Sequence, residues 1–279
     1  MFPEVTSGLL AFQGRQCNVE LPPIELEKDP SPPPLRDTVS FQPSVEDALA
    51  ALAQDLTLQA KACVREFGSF HVAVSGGTSL NLLERLCREL MIDPAYRSLP
   101  WSSTHVWTMD DAAVPPGDPQ SVYGVLRDLL IGHSGIPRNQ VHGISAFRPA
   151  ADAEYERSLR RILGSRPAGH DRLDAAILSL AASGIAGRLE PEHAVETERL
   201  AVRLPDQSVT LTHRMLAGSR FMGVLAVGPA VAPTLASVAS GKASPVPDLL
   251  GGHTRWYVDH DAGLEGQDAP ASQNDKGQR

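Results

Sequence analysis

The sequence lacks the features by which a metal centre or a disulfide framework is usually found. Its three cysteines, Cys17, Cys63 and Cys87, are odd in number and widely spaced, so they match neither a zinc pattern nor a set of disulfide pairs. None of the nine histidines stands in an HExxH or H-x-H spacing, and the Asn-x-Ser/Thr glycosylation sequon does not occur. We therefore predict a reduced, cytoplasmic protein that binds no metal ion.

Basic clusters and long apolar runs are also missing. The 279 residues carry 25 basic against 33 acidic side chains, a net charge of −8, which disfavours binding to nucleic acid or to an anionic membrane. No apolar run is long enough to span a bilayer, and the first residues lack the basic and apolar regions of a signal peptide. Because 42% of the residues are hydrophobic, the chain can build a substantial globular core.

The most informative stretch is residues 70–90, where a β-prone run is followed by glycines and then by apolar residues at helical spacing. A strand, a glycine turn and a helix in this order direct backbone N–H groups toward a phosphate or a carboxylate. No lysine follows the glycines, and neither G-x-G-x-x-G nor G-x-S-x-G occurs there. Two interpretations stay open: a phosphate-binding loop at Ser75, Gly76, Gly77 and Thr78, or an ordinary βα turn.

Strands and helices alternate along most of the chain, which predicts an α/β fold with a doubly wound, mostly parallel sheet and helices on both faces. Residues 1–43 are predicted to be a proline-rich linker or the remnant of an upstream domain, residues 44–264 the α/β domain, and residues 265–279 a disordered tail. The strands are predicted at 70–74, 104–109, 141–144, 173–180, 199–204, 208–212, 221–227 and 255–258. Their buried residues should include Val72, Val74, Ile177, Leu178, Leu225 and Val227.

Three loops follow predicted strands and are expected to share one edge of the sheet, since parallel α/β sheets bind ligands beyond the carboxyl ends of their strands. They contain residues 75–78, the pair Asp110 and Asp111, and residues 179–187. A carboxylate at this edge can act as a base, orient a sugar hydroxyl or hold a metal, and the alternative is a pair of solvated acids that cap the next segment. His253 and His260 flank the last strand beside acidic residues, an arrangement that is common on protein surfaces.

Three segments resemble the 6-phosphogluconolactonase family, which belongs to a larger group with glucosamine-6-phosphate deaminases. They read VSGGTS, LPWSSTHVWTMDDAAVP and SVYGVLRDLLIGHSGIP, and the closing GGHTRWYVDHDAGL is similar to the lactonase domain of the endoplasmic-reticulum bifunctional hexose-6-phosphate dehydrogenase. The resemblance implies a Rossmann-like domain that hydrolyses 6-phosphogluconolactone without a metal or nucleotide cofactor. It also implies a dehydrogenase as partner or fused domain, and then the lumen of the endoplasmic reticulum as the compartment.

Matched residue by residue, this sequence keeps the family's phosphate-side glycine loop at Ser75–Gly76–Gly77–Thr78 but loses most of the catalytic set. The family's Asp-Glu-Arg falls on Asp110, Asp111 and Ala112. Its motif Gly-x-Gly-x-Asp-Gly-His falls on residues 179–185, so that the acid becomes Ser183 and the catalytic histidine becomes Ile185.

The family's later arginine and lysine are also missing, although Arg199, Arg203 or Arg214 could replace the arginine in space. We therefore expect no catalytic residue at the family's positions and only weak binding of a sugar phosphate at Ser75, Gly76, Gly77, Thr78, Asp110 and Asp111. The first hypothesis is a sugar-phosphate-binding or structural pseudoenzyme, and the alternative is an active lactonase with a displaced base.

Overall fold

The computed structural model describes residues 31–35, 37–76, 80–184, 188, 198–241 and 253–263. The α-helices in these ranges are α1 Val45–Phe67, α2 Asn81–Ile92, α3 Val122–Leu126, α4 Gly132–Ser134, α5 Ala151–Leu163, α6 His213–Ala217 and α7 Ala232–Ala239. The strands are β1 Thr38–Gln42, β2 Phe70–Val74, β3 Thr104–Thr108, β4 Asp110–Asp111, β5 Val141–His142, β6 Ala175–Ser179, β7 Ala201–Arg203, β8 Val209–Leu211, β9 Phe221–Ala226 and β10 Thr254–Asp259.

The main sheet is parallel throughout, in the order β1-β10-β9-β6-β2-β3-β5. Because its central strands are buried on both faces, successive side chains enter two separate cores. Phe70, Val72 and Val74 pack with α1 and α2 on one face, whereas Ala73 packs with α5 and α7 on the other. This layering confirms the predicted α/β class with helices on both faces.

Both ends of helix α1 are set by capping residues, Ser44 before it and Gly68 after it. The Ser44 side chain accepts a hydrogen bond from the Asp47 amide at 3.1 Å, and Glu46 lies in the first turn beside the positive end of the helix dipole. Gly68 ends the helix at φ 79°, a left-handed conformation that glycine adopts without steric cost. The chain then turns directly into β2.

A second, small antiparallel sheet joins β4, β8 and β7. The sequence places β7 and β8 correctly as strands, but they form a hairpin and do not add to the parallel sheet. A parallel pair needs a crossover of about a dozen residues or more, and only a short turn connects these two strands. This hairpin brings β8 against Asp110 and Asp111.

The main sheet begins earlier than the sequence predicted. Strand β1 lies inside the predicted linker 1–43 and pairs in parallel with β10, where Thr38 is opposite Arg255 and Gln42 opposite Asp259. The prediction missed it because polar side chains alternate along β1 and a proline-rich segment precedes it. Residues 1–30 and the predicted tail 265–279 lie outside the described residues.

The predicted core is buried except at one position. Val72, Val74, Ile177, Leu178 and Leu225 are all buried. Val227 is only partly buried, since it follows the last residue of β9 and lines a cleft at the edge of the sheet.

The strand predicted at 141–144 is shorter than expected, since only β5 forms there. Residues 122–134 are helical without a break, as α3, a π-helical turn at Arg127–Ile131 and α4. In the described ranges, no helix has the length and apolar character needed to cross a membrane.

Candidate functional site

The carboxyl ends of the central strands lie side by side. Backbone hydrogen bonds continue the pairing just past the strands, from Ser75 N–H to the Ile177 carbonyl at 3.0 Å and from Met109 N–H to the Val74 carbonyl at 2.8 Å. Ser75, Asp110 and the carboxyl end of β6 at Ser179 therefore lie at one edge of the sheet, as the sequence predicted. Gly77, Thr78 and Ile185 lie outside the described residues.

Gly76 is required at this edge by close packing. A Cβ atom at this position would collide with the side chains of Leu80 and Val122, which lie at the starts of α2 and α3. Ser75 precedes it, is buried, and donates its hydroxyl hydrogen to Oδ2 of Asp110. The loop after β2 thus allows two helices to approach the sheet closely and holds a carboxyl group from one side.

Asp110 is completely buried, with 0% of its surface exposed. Its Oδ2 atom accepts the Ser75 hydrogen bond, while Oδ1 has no hydrogen-bond partner in the described part of the chain. Among the described residues, Arg188 supplies a cation beside Asp110, with its Nε atom 3.7 Å from Oδ1. Burial raises the pKa of Asp110 to about 6, even though the Ser75 hydroxyl, the Arg188 guanidinium and the Gly76 amide all favour the charged form.

Asp111 has a different environment. Its carboxylate accepts hydrogen bonds from the amides of Ala112 and Val122 at 2.9 Å, from the amide of Tyr123 at 3.1 Å and from the hydroxyl of Ser121 at 3.2 Å. Burial raises the pKa of Asp111 to about 6, and these donors oppose the shift. Asp111 holds the first turn of α3, so the capping interpretation fits this residue, but both acids are buried and the expectation of solvated side chains is wrong.

The cation beside Asp110 is one that the sequence analysis missed. Arg199 forms ion pairs with Asp152 and Glu156, and Arg214 pairs with Glu198, while Arg203 donates to backbone carbonyls. In the described ranges these three arginines are engaged with other groups, and the ion pair to Asp110 is made by Arg188. The available signal was the position of Arg188, directly after the edge loop predicted at 179–187.

The other acid and histidine positions belong to the framework. Asp259 accepts from the amides of Gly228 at 2.9 Å and Ala262 at 3.0 Å, which ties the end of β10 to the loop after β9. His260 stacks on Phe41, and His253 lies at the other end of β10, so the two histidines that flank this strand are far apart along it. Trp107 is fully buried in the core and Trp101 is partly buried.

A cleft of about 280 Å³ opens beside the candidate site, at the carboxyl ends of β6 and β9. Its lining residues come from both strand ends and from the starts of α1 and α2: Val45, Asn81, Leu82, Arg85, Ser179, Leu180, Val227, Gly228 and Val231. Within the ranges given above, no three His, Cys, Asp or Glu side chains are grouped so as to hold a metal ion. The edge therefore offers hydroxyl, amide, carboxylate and guanidinium groups for binding a polar ligand.

Comparisons with known proteins agree with this architecture. A crystal structure of 6-phosphogluconolactonase from Thermotoga maritima superposes with a TM-score of 0.68 at 20% identity, covering 80% of this chain and 100% of that one. A monomeric glucosamine-6-phosphate deaminase gives a TM-score of 0.66 at 18% identity over 81% of this chain and 98% of that one. At these identities the likeness concerns the fold.

Curated sequences extend the similarity. The human GDH/6PGL endoplasmic bifunctional protein is 27% identical over 94% of this chain, which spans only 35% of that protein's length. The 6-phosphogluconolactonase of Aggregatibacter actinomycetemcomitans is 26% identical over 79% of this chain and 96% of its own. The model of the family described as glucosamine-6-phosphate isomerases/6-phosphogluconolactonase matches residues 43–255. The chain therefore belongs to the glucosamine-6-phosphate isomerase/6-phosphogluconolactonase family.

Proposed function

We propose that this domain is a 6-phosphogluconolactonase scaffold that binds a sugar phosphate at the carboxyl edge of its sheet and has lost catalysis. The observation that carries the proposal is the state of the two edge carboxylates. Asp111 is saturated by hydrogen bonds from its own helix start, and Asp110 lies against a hydroxyl group and a guanidinium group. These surroundings favour a carboxylate that holds a ligand over one that takes a proton from water.

Position 185 supports the same conclusion. Hydrolysis of an ester needs a group that takes a proton from the attacking water and later returns it, a role typically worth about 10²–10⁴-fold in rate. The family resemblance assigns this role to a histidine, and Ile185 stands there with a hydrocarbon side chain that can exchange no proton. Ser183 replaces the neighbouring acid, so both ionisable positions of the family motif at 179–185 are lost.

The alternative, an active lactonase with a displaced base, draws on one specific observation. Burial places the pKa of Asp110 at about 6, close to the range in which general bases work best at neutral pH, and its Oδ1 has no hydrogen-bond partner among the described residues. His193, which follows Ile185 in the sequence and lies outside the described residues, is a second candidate base.

A lactone hydrolysis assay separates the two functions. The rate with purified protein is measured against buffer alone, because 6-phosphogluconolactone also opens spontaneously, and a 6-phosphogluconolactonase such as the Thermotoga maritima enzyme serves as positive control. We expect the protein to hydrolyse the lactone at or near the buffer rate. Ile185→His should rescue little, since Ser179, Ala181 and Ser183 also depart from the motif.

An excess of about a hundredfold over buffer, the low end of the range for a general base, that disappears in Asp110→Asn or His193→Ala would establish the active alternative. Binding is measured separately by calorimetry with 6-phosphogluconate. We expect a dissociation constant of about 1 mM or weaker, because hydrogen bonds from the missing family arginine and lysine would each have contributed about 1.5–3 kcal/mol.

We also propose that the domain works with a dehydrogenase, as a fused domain or a separate partner, in the endoplasmic reticulum. The similarity to the human bifunctional protein covers 94% of this chain, more than the residues 43–255 matched by the family model. An antibody against the α/β domain tests this on the native protein. A band several times larger than the 29.9 kDa of this sequence indicates fusion. A band of this size that neither co-purifies with a dehydrogenase nor co-localises with the organelle would contradict the proposal.

A further inference from the structure

The facing atoms of Asp110 and Arg188 are complementary, yet they form no hydrogen bond with each other. Asp110 Oδ1 and Arg188 Nε are both shielded from solvent, and neither has a hydrogen-bond partner in the described part of the chain. Their separation of 3.7 Å allows an ion pair but exceeds the length of a hydrogen bond. Since buried polar atoms of this kind each carry a desolvation cost, the pair is chemically suited to a third group that contacts both.

Each member of the pair is held from its far side. Ser75 donates to Oδ2 of Asp110, which leaves Oδ1 directed toward Arg188. Oδ2 of Asp206 lies 3.4 Å from Nη1 of Arg188, so the guanidinium group lies between the carboxylates of Asp110 and Asp206. Arg188 has φ 57°, a left-handed conformation that is uncommon outside glycine and that costs free energy unless the surroundings require it. The side chain is 26% exposed, so part of the guanidinium-bearing chain is accessible from solvent.

The chemistry of the pair selects one kind of third group. A hydroxyl oxygen about 2.8 Å from both atoms can donate its hydrogen to the carboxylate and accept one from the guanidinium. A fully ionised phosphate oxygen can accept from Arg188 but has no hydrogen for Asp110, and its charge is repelled by the carboxylate. The gap therefore fits the hydroxyl groups of a sugar chain better than a phosphate group.

We propose that Asp110 and Arg188 form a hydroxyl-recognition pair that makes Arg188 a specificity-determining residue for a polyhydroxylated sugar acid or its phosphate. This inference rests on the proposed sugar-phosphate binding. The ligand hydroxyl lies between Oδ1 and Nε, and the rest of the ligand extends over the edge of the sheet beside the cleft lined by Ser179 and Gly228. Arg188, which follows β6 in the chain, thus supplies the cation that recognises the hydroxyl-bearing part of the ligand.

Two substitutions at Arg188 test the pair through binding alone. Arg188→Gly removes the guanidinium and leaves a residue that adopts φ 57° without strain. Arg188→Lys keeps the positive charge but loses the planar donor geometry at Nε. The probes are 6-phosphogluconate and inorganic phosphate, titrated separately and followed by NMR chemical shifts. Both variants should bind 6-phosphogluconate about tenfold more weakly or worse, while the affinity for inorganic phosphate stays unchanged.

The matched control is Gln207→Gly, because Gln207 is the other non-glycine residue with a left-handed backbone in the described ranges, at φ 69°. It should bind both probes as the unmodified protein does. The inference is overturned if Arg188→Gly or Arg188→Lys binds 6-phosphogluconate normally, if both probes lose affinity equally, or if the unmodified protein does not bind 6-phosphogluconate. These outcomes are independent of the hydrolysis assay, since lactonase activity would refute the loss of catalysis and leave this binding result standing.

Discussion

Two aspartates at opposite ends of the same sheet are equally buried but differently satisfied. Asp174 precedes β6 at the amino edge, Asp110 follows β3 at the carboxyl edge, and both have 0% of their surface exposed. Asp174 accepts from both Arg166 and Arg220 at 3.1–3.2 Å and from the His71 amide at 2.9 Å. Asp110 accepts the Ser75 hydroxyl on one oxygen and has Arg188 at 3.7 Å from the other.

This difference separates a structural carboxylate from a candidate binding group. A buried charge whose acceptor sites are all used connects parts of the framework, and its removal leaves its partners with uncompensated charge. A buried carboxylate with one unpartnered oxygen contributes less to the folded state and keeps an acceptor for a ligand. The buried fraction alone does not distinguish Asp174 from Asp110, since it is the same for both.

The largest expected effect comes from making the same change at both ends. Asp174→Asn should lower the free energy of unfolding by about 3–5 kcal/mol, because Arg166, whose side chain is only 6% exposed, loses its counter-charge. Asp110→Asn should cost about 1 kcal/mol or less, since Ser75 can still donate to the amide oxygen. Urea denaturation at neutral pH measures both variants. Equal losses of unfolding free energy in the two variants would contradict the distinction between a structural Asp174 and a ligand-binding Asp110.

The second prediction concerns the close packing around Gly76 at the carboxyl edge of the sheet. Gly76→Ala should destabilise the protein by about 1–3 kcal/mol, because its Cβ atom would collide with Leu80 and Val122. Gly117→Ala is the matched control, since an added Cβ atom there has no neighbour within 4 Å. Thermal unfolding of the two variants should therefore differ. A Gly76→Ala variant as stable as the control would show that the start of α2 is not closely packed against the sheet.

The smallest effect, a pH dependence of stability, should have opposite signs for two histidines of the sheet and for Asp110. Burial lowers the pKa of His71 to about 2 and of His142 to about 4, so the unfolded chain binds more protons than the fold below the usual histidine pKa of 6.5. Their contribution to stability is therefore lost as the pH falls through 6.5. Burial raises the pKa of Asp110 from 3.8 to about 6, so this group stabilises the fold as the pH falls between those two values.

Two variants measure these contributions by urea denaturation from about pH 7 to about pH 5. His71→Asn keeps an acceptor for the Trp107 N–H and should flatten the acid-side loss of stability by up to about 1.4 kcal/mol for each pH unit. Asp110→Asn should make that loss steeper, because the opposing carboxyl is gone. Changes of the same sign in both variants would contradict the assignment of these groups.

Much of the fold could be predicted because it depends on local pattern. Strands β2, β6 and β9 lie within the ranges predicted from the sequence and have the buried character of central parallel strands. The motifs around Ser75 and Asp110 were sufficient to identify the family, because each follows a strand that the sequence marks clearly. Strand β1 was missed since an edge strand with alternating polar residues has little apolar pattern of its own.

The sequence by itself determined the α/β class, the family and the position of the glycine loop, since these follow from periodicity and from residues adjacent in the chain. Only the tertiary structure decided that Asp111 caps α3 while its neighbour Asp110 faces Arg188. Side chains of successive strand residues point in opposite directions, so two adjacent acids acquire different surroundings once the sheet forms. Arg188 meets Asp110 because β3 and β6 lie on either side of β2, an order set by packing the whole sheet.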